Sequence, residues 1–152
     1  MVCGKLVSGS ERNEQMQQVT EIRNAVLKEE LHLPIQEDMD AFCMYALAYE
    51  GDKAVATGGI SFDGEVYRIQ EVAVLAAYRK KKYGDFIVRL LIDKAMMSGA
   101  QVIEADVIKE AMPLFESIGF TVSGEMYEKE GKIWTLMQLL VGSIHKCCNC
   151  GH

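Results

Sequence analysis

Residues 69–91 read IQEVAVLAAYRKKKYGDFIVRLL and join a β-branched segment to a helical one through four consecutive cations. Ile69, Val72, Val74 and Leu75 suit an extended chain packed on one or both faces. From Gly84 to Ser98, the residues Ile87, Leu90, Leu91, Ala95 and Met96 draw an apolar helical stripe, and Gly99 is a natural terminator. Arg79, Lys80, Lys81 and Lys82 therefore fall where a strand hands over to a helix. The first N–H groups of a helix lack partners within it and stand at the positive end of its dipole. Such an end is a ready anion site; glycine permits close approach, and successive loop amides add a concave nest. The segment predicts a phosphate-bearing ligand, with a solvated charged turn as the plainer alternative.

The flanking sequence limits what can surround this junction. Lys5 to Ser8 reads as an opening strand, and Ser8 with Glu11 has the spacing of a capping box. Met16, Val19, Ile22 and Val26 then recur at helical spacing, in a helix that must end before Pro34. Phe42 to Tyr49, Ala54 to Phe62 and Glu65 to Leu75 read as a meander, turning at Glu50-Gly51-Asp52 and at Asp63-Gly64, a hairpin signal because both of these last positions can take positive φ. After the long helix, Gln101 to Asp106 reads as a strand and Pro113 to Ile118 as a short helix closed by Gly119. Phe120 to Met126 and Ile133 to Leu140 complete a hairpin across Glu128 to Gly131. The expected fold is α+β, with a mixed, mostly antiparallel central sheet flanked by helices.

A chain of 152 residues with two prolines leaves no room for a Pro-rich linker. One domain over residues 1–142 is expected, followed by a Cys/His-rich tail over 143–152. No apolar run approaches the ~20 residues that span a bilayer, and MVCGKLVSGS lacks the order of a signal peptide, so a cytoplasmic protein is expected. The net charge of −6 argues against a nucleic-acid partner and repels an anionic ligand, so any anion site must be built locally. In the tail, His145, Cys147, Cys148, Cys150 and His152 are competent zinc ligands. Their spacing is poor for a structural site, and no metal is expected.

The 79–84 hexamer resembles motif A of the GNAT superfamily of N-acetyltransferases, Q/R-x-x-G-x-G/A. Arg79 fills its first position and Gly84 its last, while Lys82 stands where the family most often has a glycine. VAVLAAYR at 72–79 resembles the family's fourth-strand phrase, and LFESIGF at 114–120 its F-Y-E-K-L-G-F signature. IRNAVLKEEL at 22–31 and GEMYEKEGKIWTLMQL at 124–139 resemble the IR-x-x-VF-x-x-E region and final hairpin of one GNAT branch. The likeness runs through nearly everything from residue 5 to 140.

This resemblance implies a cofactor site for acetyl-CoA. Arg79, Lys80, Lys81, Lys82, Tyr83, Gly84 and Asp85 would receive the pyrophosphate, Val72, Ala73 and Val74 would lie beside pantetheine, and Phe115 would pack against the cofactor. A primary amine of a small molecule or peptide would attack the acetyl group directly. Glu71 is the candidate general base; its bland alternative is a strand carboxylate paired with Arg68 or at a solvated edge. The family's acid is the tyrosine of F-Y-E-K-L-G-F, here Phe115, which has no proton to give. Tyr83, Tyr127 or water would have to substitute, and Ile108 replaces a further expected CoA contact. These departures leave open a catalytically weak acetyl-CoA-binding or regulatory module. Nothing between residues 10 and 40 spells an acceptor, and a homodimer is a fair expectation.

Overall fold

The computed structural model describes residues 2–11, 13–35 and 42–143; the metal-ligand candidates of the tail lie outside them. Among the described residues, eight strands form one sheet in the order β1-β2-β3-β4-β5-β8-β6, with β7 also on β8. They are β1 (Val2–Ser8), β2 (Cys43–Glu50), β3 (Lys53–Phe62), β4 (Tyr67–Val74), β5 (Val102–Ile108), β6 (Thr121–Val122), β7 (Tyr127–Lys129) and β8 (Lys132–Leu140). Among the described residues only β4 and β5 pair in parallel, as expected of a mixed, mostly antiparallel sheet.

Helix α1 (Glu14–Arg23) covers one face of the sheet, and α2 (Tyr83–Met97) the other, with α3 (Met112–Ile118) against it. The two-residue period of β2 serves both layers. Tyr45, Leu47 and Tyr49 join Val19, Ile22 and Val26 in one core, while Ala46 and Ala48 join Ile87, Leu91 and Ala95 in the other. Small residues on the α2 side matter, because a Cβ on Gly58 would stand 2.8 Å from Ile87 Cγ2. No helix among the described residues is long and apolar enough to cross a membrane.

The structure departs from the local expectations at four places. Ser8 ends β1 instead of capping α1; the cap is Asn13, whose Oδ1 accepts from the Met16 N–H at 3.0 Å. Beyond Arg23 the helix widens to a π-helical stretch, Asn24–Glu30, which brings Glu30 within reach of the loop before α2. At Asp63-Gly64 only glycine takes positive φ, at 103°. Asp63 shapes that turn through its carboxylate, which accepts from the Glu65 and Val66 N–H groups at 2.9 Å each. The first arm of the closing hairpin is also broken, into β6 and β7, each pairing with β8.

Candidate functional site

Strand β4 has a cavity at each side of its C-terminal half. The larger, about 480 Å³, lies where β4 turns into α2 and is walled by Val74, Lys80, Lys82, Gly84, Arg89 and Leu114 among others. Lys80 and Lys82 adopt left-handed φ of 65° and 66°, which gives the loop its tight curl. For residues other than glycine this conformation costs roughly 1–2 kcal/mol each. The first bond of α2 runs from the Phe86 N–H to the Lys82 carbonyl at 3.0 Å, and no side chain caps this end. The Tyr83, Gly84 and Asp85 amides thus precede the helical ladder and border the cleft. Gly84 matters for space, since an added Cβ would stand 3.1 Å from Leu114 Cδ2 and 3.8 Å from Val74 Cγ2.

The four cations do not act alike. Arg79 is a clasp: its Nε donates to the Val74 carbonyl at 3.1 Å, and its other nitrogens donate to Glu30 at 2.5 and 2.7 Å. The hydrogen bond from Arg79 holds the Glu30 carboxyl below its usual range, and Glu30 in turn raises the guanidinium. Lys81 turns to Glu50 at 3.6 Å and lies over the Tyr78 ring. Lys80 and Lys82 line the cleft, as does Arg79 from within its clasp, whereas Lys81 does not. Arg89, which the sequence reading missed, also faces it and holds Asp85 at 2.9 Å, offsetting an acid that would oppose an anion. Its spacing of four residues from Asp85 was a usable signal.

The smaller cavity, about 100 Å³, opens between β4 and β5. These strands pair only at Tyr67–Ile103, Arg68–Glu104 and Ile69–Ala105, then diverge. A bulge assists: two steps on β3, from Thr57 to Gly59, face three on β4, from Ala73 to Gln70, and Glu71 within it has φ 53°. Glu71, Asp106, Phe115 and Trp134 line this fork, with Leu27, Leu31 and Leu33 from the α1 side.

Glu71 fits neither of its bland alternatives. Its carboxylate accepts from Arg23 at 3.3 Å, and Arg23 is fully buried, donating also to the Tyr45 hydroxyl at 3.0 Å. Arg68 instead pairs with Glu104 at 2.7 Å. The bulge turns Glu71 towards α1, which strand alternation could not foresee.

The donor candidates separate. Tyr83 is buried and its hydroxyl donates to Glu50 at 2.9 Å; burial, then Glu50, pushes its phenol up. It borders the larger cleft and not the fork. Tyr127 donates to Asp106, and burial with that carboxylate pushes it up to about 12. Phe115 is buried edge-on against Phe120, 5.1 Å between centroids, and lines the fork together with Ile108. Val72 lines the fork and Val74 the cleft, whereas Ala73 is buried against the α1 core.

Known proteins share the fold. Residues 12–120 match the family model described as Acetyltransferase (GNAT) family. The chain is 28% identical over 123 residues to "Putative acetyltransferase BSU40680" of Bacillus subtilis (strain 168), covering 77% of this chain and 84% of that one. Escherichia coli ElaA is similar in structure, with a TM-score of 0.79 at 21% identity, over 91% of this chain and 99% of that one. A chain of the NatC complex bound to Gag peptide and CoA has a TM-score of 0.74 at 16% identity, over 91% and 98%.

Proposed function

Because the chain belongs to the GNAT acetyltransferase family and is therefore an acyltransferase, we propose that it moves the acetyl group of acetyl-CoA to a primary amine by direct attack. The observation that carries this is the cleft at the start of α2 and the fork beside it, meeting along β4. The residues fit the cosubstrate. Helix-start amides, a curled loop, Lys80 and Lys82 suit a diphosphate, and the structural neighbour with CoA supports the choice. The edge of β4 that leaves β5 beyond Ile69 suits an amide-bearing arm alongside Val72 to Val74.

When bound, the thioester supplies an electrophilic carbonyl. A backbone N–H near Val74 polarises it, and Glu71, fixed by Arg23, takes one proton from the ammonium directly or through water. The freed nitrogen forms the C–N bond as the C–S bond breaks, and its second proton passes to the departing sulfur. The products are the N-acetyl amine, a free thiol and one released proton. Phe115 gives no proton, so Tyr127 or water serves that last transfer.

Thermal unfolding with acetyl-CoA, CoA and unrelated nucleotides tests the binding half. A ligand at 100 times its Kd should add ~2.7 kcal/mol. Thiol release with a panel of amines tests the transfer half. Binding without thiol release across the panel would favour an acetyl-CoA-binding module, the reading that Phe115 and Ile108 support.

A further inference from the structure

The walls of the fork carry a charge pattern that the transfer reaction does not by itself require. Among the described residues lining it there are two carboxylates, Glu71 and Asp106, and no Lys, Arg or His. Behind Glu71 stands its counter-ion, Arg23, so that charge is largely matched. Asp106 is different. Its Oδ2 accepts from the neutral Tyr127 hydroxyl, while its Oδ1 is buried and makes no hydrogen bond among the described residues. No cation among the described residues pairs with it.

Buried polar atoms are nearly always satisfied, and an orphaned carboxylate oxygen beside a cavity is a place where a ligand's donor is missing. The donor must be cationic or strongly polar to offset the desolvated charge. Trp134 and the leucines at 27, 31 and 33 supply the rest of the wall, and an indole face also attracts an ammonium. Among the described residues lining the fork, a substrate carboxylate placed here would meet two acids and no cation.

We infer that Asp106 receives the ammonium of the acceptor, and that the fork selects primary amines on an apolar or aromatic body with no carboxylate beside the amine. This rests on the transferase reading for the amine's part in the reaction. Tyr127 positions Asp106 by holding one oxygen, and a small rotation of the carboxylate brings the other, buried here, to the substrate. The selection is by repulsion as much as attraction, since an α-amino acid carries the same ammonium and fails on its carboxylate.

The chain has one tryptophan, Trp134, so its fluorescence reports on this cavity without any turnover. Titration with 2-phenylethylamine should change that fluorescence saturably, and phenylalanine, the same body with a carboxylate added, should bind about tenfold or more weakly. Asp106→Asn should weaken 2-phenylethylamine about tenfold or more and narrow its advantage over phenylalanine. Tyr127→Phe keeps the charge but releases its orientation, and should give a smaller loss. Circular dichroism would check the fold of both variants. Equal binding of the two probes, no saturable change with either, or an unaltered Asp106→Asn titration would overturn the inference. The acetyl-CoA thermal shift is read separately. Its absence alongside intact amine selectivity removes the transferase reading and leaves the amine site standing.

Discussion

The two cavities along β4 have opposite characters. The larger is bounded by helix-start amides and by Lys80, Lys82 and Arg89; the smaller by Glu71, Asp106 and apolar side chains. A chain of net charge −6 thus gathers Lys80, Lys82 and Arg89 around one cleft. It does so selectively, because Glu30 and Glu50 occupy Arg79 and Lys81. Local field, and not total charge, is what matters within a Debye length of ~8–10 Å. On the proposed reading, one strand serves an anionic and a cationic ligand at once, each side carrying its own counter-charges.

The contrast can be broken most severely at Glu71. Glu71→Gln should lower kcat ~100-fold with acetyl-CoA affinity unchanged. Near-normal turnover with a lowered melting temperature would make Glu71 only a partner for Arg23. On the other side, Gly84→Val should weaken acetyl-CoA binding about tenfold or more, a loss of ~1.4 kcal/mol. Its side chain also meets Leu114, so Leu114→Ala is the control. If the second change restores affinity, crowding of the α2–α3 seam and not closure of the anion site was the cause.

Lys82→Gly should raise stability by up to about 1 kcal/mol in denaturant unfolding, since glycine accepts the left-handed turn freely. A loss of stability would mean that the Lys82 side chain contributes more than its backbone costs. The gentlest contrast is between neighbours. Lys80→Ala should weaken acetyl-CoA binding about threefold, more so at low salt, while Lys81→Ala should leave it unchanged. Equal effects would show that the cations act as a diffuse field.

Much of the molecule was legible because its signals are local. The apolar stripe at Met16, Val19, Ile22 and Val26 is the buried face of α1 and of the π-helical stretch that continues it, and Gly99 does end α2. The junction at 79–84 could be read because its cations and its glycine are contiguous. The glycine missing at Lys82 was visible too, and the structure supplies its meaning as a left-handed residue. Asp63 was misread because its side chain, and not its own φ, makes the turn.

Which residues wall the fork was not legible. Its walls come from positions 27, 71, 106 and 134, and no pattern in the chain marks them as neighbours. Glu71 was singled out by the strand that bears it, but its partner Arg23 lies 48 residues away. Asp106 gave no signal at all, as one polar residue in an alternating strand. The sequence by itself determined the elements, their order and the cation-rich junction between β4 and α2, because helix ends, turns and periodicity are properties of neighbouring residues. Which cations face the cleft, which carboxylate is matched and which is left open were decided only by the tertiary structure. Charge pairing across elements depends on distances through space, and those follow from packing two helical layers on a forked sheet.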